Sequence, residues 1–102
     1  MSAPATSTPR YRLRIVPWLR PVGRLLLREW LAITLGGTIL GWRPLNASEL
    51  AHELEHVRQW QRHGLLFPLV YLAASVAARR GGGRWYRDNR FEVAAREAAQ
   101  RA

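Results

Sequence analysis

The sequence predicts a small α+β domain, in which a small antiparallel sheet or hairpin packs on one helix and two further helices follow. Two short apolar runs are joined by Gly36-Gly37, a strong helix start follows at Asn46, and two later stretches have a helix-forming composition. At 102 residues the chain is long enough for one modest core. We therefore expect a disordered tail over residues 1–9 and a single domain over residues 10–102.

The N-terminal third contains one clear strand pattern. Residues 11–15 alternate apolar and charged side chains, which is the period of a half-buried strand. Prolines stand on both sides of Trp18, so this part is expected to be irregular or to lie at a sheet edge. Residues 22–31 fit either a short helix or a buried strand, because a short apolar run does not distinguish the two.

Residues 32–40 predict the hairpin. The runs Ala-Ile-Thr-Leu and Thr-Ile-Leu flank Gly36-Gly37, and two-residue hairpin turns need positive φ angles that glycine adopts at little cost. One role for the hairpin is scaffolding. Another is that one strand leaves an open edge beside the candidate site, to which an extended peptide can add as a further strand. We expect the hairpin to serve both roles.

Residues 47–64 carry the signals of a capped helix. Asn46 can serve as N-cap, Glu49 completes a capping box, and Gly64 lies where the helix is expected to end. One stripe of this helix is apolar and is expected to face the core: Leu50, Leu54 and Val57.

The same helix carries the pattern His-Glu-x-x-His. His52 and His56 are four positions apart, so both imidazoles emerge on one face and can hold one Zn²⁺. Glu53 lies between this stripe and the apolar one, where it can act as the base toward a water molecule. The alternative is a solvated helix without chemistry, which we disfavour because the polar stripe is specifically His and Glu.

Two more helices are expected downstream. The first covers about residues 66–80, tolerates Pro68 in its first turn and ends at Gly81-Gly82-Gly83. Its apolar run, 65–78, is too short to span a bilayer and is expected to form a buried helix. The last helix is alanine-rich and covers about residues 88–99.

Two histidines leave a zinc site one protein ligand short, and the downstream carboxylates are Asp88, Glu92 and Glu97. Glu92 is the preferred ligand, because it lies in the first turns of the last helix beside Phe91, which can anchor that turn in the core. The alternative role for Glu92 is a capping-box partner of Asn89. Glu97 is the reserve ligand.

The chain is strongly basic, with a net charge of +9, and every one of its 16 basic residues is arginine. Such a charge suits an acidic membrane surface or nucleic acid. The arginines are scattered and no nucleic-acid recognition module accompanies them. We therefore expect no nucleic-acid partner and allow a peripheral contact with an acidic membrane surface.

Cysteine is absent, which excludes disulfides and Cys-ligated zinc. The N-terminus has Ser, Thr and Pro in place of the apolar run of a signal peptide. We therefore expect a cytoplasmic protein whose metal ligands are histidine and carboxylate.

Together these motifs resemble the gluzincins, zinc peptidases whose third zinc ligand is a glutamate on a helix after H-E-x-x-H. The segment Gly36-Gly37-Thr38-Ile39, with Leu50-Ala51-His52-Glu53, is similar to the hairpin and active-site helix of HtpX-like peptidases. Residues 56–60 and 89–95 look like segments of small bacterial zincin-type proteins. The resemblance covers about residues 30–100.

The resemblance implies a zincin-like fold, zinc ligation by His52, His56 and Glu92, and Glu53 as the catalytic base. The chain lacks the second subdomain that walls the cleft in full-length gluzincins. It also has no clearly placed transition-state stabiliser. The candidates for that role are Tyr86, Tyr71, His63 and the arginines around Glu92.

The predicted function is therefore zinc-dependent hydrolysis of peptide bonds in a peptide or protein substrate. The alternative is a structural or vestigial zinc site without activity. A fourth protein ligand, such as His63 or Glu49, would indicate that alternative. No element specifies an oligomeric state.

Overall fold

The computed structural model describes residues 8–18, Pro21 and residues 32–102. The elements in these ranges are β1 (Arg12–Ile15), β2 (Ala32–Leu35), β3 (Thr38–Gly41), α1 (Ala47–His63), α2 (Phe67–Arg80) and α3 (Arg90–Gln100). A 3₁₀ turn, Gly64–Leu66, joins α1 to α2. The α+β class is confirmed. Residues 1–7 of the predicted tail and the ambiguous segment 22–31 lie outside the described residues.

The three strands form one sheet in the order β1-β3-β2. β2 and β3 make the predicted antiparallel hairpin, and Gly36 in its turn has a φ of 61°. β1, however, pairs with β3 in parallel, so the expectation of a wholly antiparallel sheet is wrong. Residues 16–37 separate the two strands, which leaves room for the crossover of about a dozen residues that parallel pairing requires.

β1 is also less buried than its alternating pattern predicts. All four of its residues are exposed, including Leu13 and Ile15 at 39% and 40%. β1 lies at one edge of the sheet, whereas the core beneath the sheet is formed by β2 and β3 against α1. An edge strand outside that core keeps both faces in contact with solvent.

α1 begins and ends where its capping residues predict. The backbone N–H of Glu49 donates to the Asn46 side chain at 2.8 Å, and the Glu49 carboxylate accepts from the Asn46 N–H at 2.9 Å. Gly64 ends the helix with a φ of 61°. The predicted apolar stripe packs on the hairpin: Val57 joins Ala32 and Ile39, with Leu45, Leu50 and Leu54 around them.

A second core joins the three helices. Phe67 and Ala74 of α2 pack against Phe91 of α3, and Trp60, Val70 and Tyr71 surround them. α3 runs antiparallel to α1, because Ser48 donates to the carbonyl of Ala99 at one end and Gln59 donates to that of Phe91 at the other. This pairing brings the first turn of α3 opposite the histidines of α1.

The expectation that the run 65–78 is buried is only half right. One face of α2 packs in the core, while the opposite face carries exposed leucines. Among the described residues, no helix is both long enough and apolar enough to cross a membrane.

Candidate metal centre

Three side chains converge between α1 and α3: His52, His56 and Glu92. One ligand atom from each lies within 4.8 Å of the other two. The Nε2 atom of His56 is 3.1 Å from Oε1 of Glu92, and the Nε2 atom of His52 is 3.4 Å from the same oxygen. The three residues predicted as ligands are therefore brought together, although 36 positions separate His56 from Glu92.

These separations match what a small metal ion requires. Ligands about 2.1 Å from a tetrahedral ion lie roughly 3.4 Å from one another. The two separations from Oε1 of Glu92, 3.1 and 3.4 Å, are close to this value. His56 and Glu92 are buried, with 8% and 3% of their surface exposed. A buried carboxylate beside two imidazoles is a fitting donor set for a divalent cation.

Gln59 determines which nitrogen of His56 can face that cation. Its amide N–H₂ donates to the carbonyl of Phe91 at 3.0 Å, which leaves Oε1 to face Nδ1 of His56 at 2.8 Å. An amide oxygen only accepts, so Nδ1 carries the hydrogen. In the neutral imidazole the lone pair is then on Nε2, the atom that faces Glu92.

A lone pair on Nε2 of His56 and a carboxylate oxygen of Glu92 repel each other at 3.1 Å unless positive charge lies with them. Either a proton on the imidazole or a metal ion can supply that charge. Without a metal ion, the geometry favours the proton. Burial disfavours the charged imidazole, but the hydrogen bond and charge of Glu92 outweigh burial and raise the pKa of His56.

The second oxygen of Glu92 is held by Tyr71. The Tyr71 hydroxyl donates to Oε2 at 2.5 Å, so Oε1 is left to face both histidines. Burial alone would raise the pKa of Glu92, but the hydrogen bonds from the two histidines and from Tyr71 hold it well below its usual range. Burial and the carboxylate of Glu92 raise the pKa of Tyr71, which therefore stays a donor.

Glu53 lies beside the cluster without belonging to it. The hydroxyl of Thr34, on β2, donates to its Oε1 at 2.9 Å, and its Oε2 is 3.9 Å from Nε2 of His52. Burial raises the pKa of Glu53, and the nearby histidines and the Thr34 hydrogen bond only partly offset this. Trp60 fixes the strand to the helix, since its indole N–H donates to the carbonyl of Thr34 at 3.1 Å.

Asn89 sets where α3 starts, and hence where Glu92 points. It is fully buried; its side-chain oxygen accepts from the N–H of Phe91 and its amide donates to Ser75 and to the carbonyl of Tyr71. Asn89 is thus the N-cap of α3. The Glu92 side chain is directed at the histidines and Tyr71, so its alternative role in a capping box is not the one observed.

The other candidate ligands lie elsewhere. Glu97 is exposed on α3 and lies outside the cluster. Glu49 forms an ion pair with Arg43 at 2.8 Å and caps α1. The ring of His63 stacks on Phe67 with centroids 5.9 Å apart. In the part of the chain that the structure describes, the cluster therefore contains three protein ligands and not a fourth.

Among Tyr86, Tyr71 and His63, the candidates for a transition-state stabiliser other than the arginines, Tyr86 is the most exposed. Tyr71 is committed to Glu92, and His63 packs in the aromatic core. Tyr86 lies on the loop between α2 and α3 and is 60% exposed. Burial, the negative charges of Glu92 and Glu53, and a hydrogen bond with Glu92 raise the pKa of Tyr86.

Two supporting residues escaped prediction. Gln59 has a recognisable signal, since it stands three positions after His56 on the same helix face. Thr34 has none, because 19 positions separate it from Glu53 and only the packing of β2 on α1 brings them together.

Comparison with known proteins gives no relative: no protein-family model, curated protein sequence or solved structure matches the chain. What is shown is a His-His-Glu group close enough to hold a metal ion.

Proposed function

We propose that the chain is a zinc-dependent metallopeptidase, in which His52, His56 and Glu92 hold Zn²⁺ and Glu53 is the general base. The supporting observation is the tautomer of His56: Gln59 places the hydrogen on Nδ1, so Nε2 faces the carboxylate of Glu92 as a donor to a cation. Two imidazoles, one carboxylate and no fourth protein ligand among the described residues make the donor set of a catalytic zinc site.

Zinc is favoured over other ions because Glu53, a candidate base, lies beside the ligands. Two histidines and a carboxylate also suit Fe²⁺. Glu53, however, directly follows His52 in the sequence and is held by Thr34 with its second oxygen toward the cluster. A base placed beside a metal site is what hydrolysis needs. We place this activity in the cytoplasm, because a chain without cysteine needs no oxidising compartment for disulfide formation.

A bound zinc ion would polarise the substrate carbonyl and make a water molecule more acidic. Glu53 supplies the proton transfers. Its Oε1 is occupied by the Thr34 hydroxyl, so Oε2 is the atom that takes a proton from the attacking water and returns it to the leaving amine. Its raised pKa makes Glu53 a stronger base toward that water than an ordinary glutamate.

The substrate would lie along β2. This strand is the last in the sheet order, and its Thr34 touches the general base. An extended peptide added to the edge of β2 that pairs with no strand among the described residues would pass beside Glu53, with main-chain hydrogen bonds as the source of affinity. Tyr86 is the proposed donor to the oxygen on which negative charge develops, since its hydroxyl keeps its proton beside Glu92.

Glu53→Gln tests this mechanism. The variant should retain one zinc per chain by elemental analysis, because Glu53 is not a ligand, and should lose turnover of a mixed peptide library. Glu55→Gln is the matched control, two positions along the same helix and paired with Arg58. Undiminished cleavage by Glu53→Gln would refute the mechanism, and iron in place of zinc after purification would refute the assignment of the metal.

A zinc site without activity is the second candidate. Its supporting observation is that the ligands come from two different helices, so a metal ion would join α1 to α3 in a small domain. Glu92→Gln, compared with the control Glu97→Gln on the same helix, distinguishes a structural zinc site from a catalytic one. Loss of zinc, a large fall in unfolding temperature and no peptide turnover in the parent protein would favour the structural role.

A further inference from the structure

α2 carries a second apolar face, opposite the one that packs in the core. Leu69 and Leu72 are 66% and 57% exposed, and Val76 is 37% exposed. At 100° per residue these three side chains fall within about 60° of one another. Leu65 and Leu66, just before the helix, extend this surface with exposures of 93% and 64%. We call these five residues the leucine face.

Such an apolar face is unusual on the solvent side of a helix whose other side packs in the core. The buried side of α2 already satisfies its packing through Phe67 and Ala74. Exposed leucines repeated along one helix therefore mark a contact surface and not core packing. At 14 residues α2 is about 21 Å long, which is too short to span a bilayer but long enough to lie on one.

The charge around the leucine face identifies its partner. Arg79 and Arg80 are exposed at the end of α2 and lie on either side of the stripe. No Asp or Glu occurs over residues 56–87, whereas six arginines do. An apolar stripe between cationic side chains matches a bilayer interface, where anionic headgroups surround an apolar interior.

Other partners fit less well. A second copy docked face to face would bring the same arginines together without a carboxylate in that segment to pair with them. Nucleic acid would satisfy the arginines and leave the leucines in water. Trp85, 51% exposed on the loop after α2, is a residue type that favours the headgroup region.

We infer that the leucine face of α2, with Arg79 and Arg80, docks the protein on the surface of a membrane that contains anionic lipids. This docking does not depend on the proposed peptidase activity. It leaves the metal centre outside the contact, because His52, His56 and Glu92 lie between α1 and α3, and the leucines lie on the side of α2 turned away from the core.

Flotation with lipid vesicles tests the inference on the full chain. Vesicles of phosphatidylcholine alone are compared with vesicles in which half of the lipid is phosphatidylglycerol. The parent protein should float with the second and not with the first. Leu69→Gln with Leu72→Gln should weaken binding at least tenfold or so, since both leucines lose most of their contact with lipid. Arg79→Gln with Arg80→Gln should weaken it roughly 25-fold, about fivefold for each arginine.

Leu35→Gln is the matched control, because Leu35 is 52% exposed but lies on β2. It should bind vesicles as the parent does. Unfolding temperatures of all variants show whether they are folded. The inference is overturned if the folded parent does not bind the anionic vesicles, or if the leucine variant binds them undiminished.

Three further results would assign the face to a different partner and also overturn the inference. The first is that the parent does not bind vesicles but forms a dimer in sedimentation experiments, and that the leucine variant is monomeric. The second is tight DNA binding that depends on the arginines alone. The third is a large loss of stability in the leucine variant, which would mean that the face packs against other residues of the chain in solution.

Discussion

Nδ1 of His56 lies 2.8 Å from Oε1 of Gln59, and the amide of the same glutamine donates to the carbonyl of Phe91. One side chain, 1% exposed, thereby fixes the tautomer of a candidate ligand and the position of the helix that carries Glu92. Metal-binding histidines commonly use their second nitrogen in this way, although with a carboxylate or a backbone carbonyl more often than an amide.

Gln59→Leu should therefore weaken zinc binding by about 10- to 100-fold, because His56 loses the partner that orients it. The measurement is a competition titration with a chromogenic chelator on folded protein. Gln61→Leu is the control, since Gln61 is exposed on the same helix. Gln59→Glu should restore part of the affinity, because a carboxylate also accepts from Nδ1. Equal affinities for Gln59→Leu and Gln61→Leu would contradict the positioning role.

The stabilising effect of zinc should depend on pH. In the metal-free protein the pKa of Glu92 is lowered from 4.5 and that of His56 is raised from 6.5. Because the pKa of Glu92 is lower in the folded protein than in the unfolded chain, Glu92 stabilises the fold above pH 4.5. That stabilisation is lost as the pH falls through the pKa of the folded state. Because the pKa of His56 is higher in the folded protein, His56 stabilises the fold below pH 6.5. That stabilisation is lost as the pH rises through the pKa of the folded state.

The ion pair of His56 and Glu92 thus stabilises the metal-free protein mainly in mildly acidic solution. Zinc instead requires neutral imidazoles and competes with protons for them. We expect the difference in unfolding temperature between zinc-loaded and chelator-treated protein to grow from about pH 5.5 to about pH 7.5. Glu92→Gln should show little difference at any pH. A difference that is constant across this range would exclude zinc binding through the histidines.

Substitution of the two tyrosines near Glu92 should have different effects on zinc binding and on kcat. Tyr71→Phe removes the donor to Oε2 of Glu92 and should weaken zinc binding by about tenfold or more. Tyr86→Phe should weaken zinc binding less than Tyr71→Phe does and lower kcat by roughly 100-fold, the cost of one lost donor to a developing oxyanion. Chelator competition and steady-state kinetics on both variants make the comparison. A Tyr86→Phe variant with unchanged kcat would remove Tyr86 from the mechanism.

Thr34 should act on the base and not on the metal. Thr34→Val keeps the shape of the side chain and removes the hydrogen bond to Oε1 of Glu53. We expect zinc affinity to be retained and kcat to fall by about 10- to 100-fold, since a hydrogen bond to a charged group contributes about 1.5 to 3 kcal/mol. Thr38→Val, on the neighbouring strand, is the control. A loss of zinc from Thr34→Val would show that Thr34 supports the ligands instead.

The sequence alone was sufficient for the features that depend on neighbours a few positions apart. The Asn46–Glu49 capping box, the turn at Gly36 and the pair His52 and His56 follow from local hydrogen bonding, backbone freedom and helical repeat. Glu92 was also predictable, because so few carboxylates were left to choose from.

The tertiary structure decided everything that joins distant segments. It paired β1 in parallel and left it exposed, and it left one apolar face of α2 in solvent. It brought Thr34 to Glu53 across 19 positions and Tyr71 to Glu92 across 21. Periodicity shows which face of an element is apolar, but not which element covers that face or whether any does. The orientation of the candidate metal ligands depends on that packing, so it follows only from the folded chain.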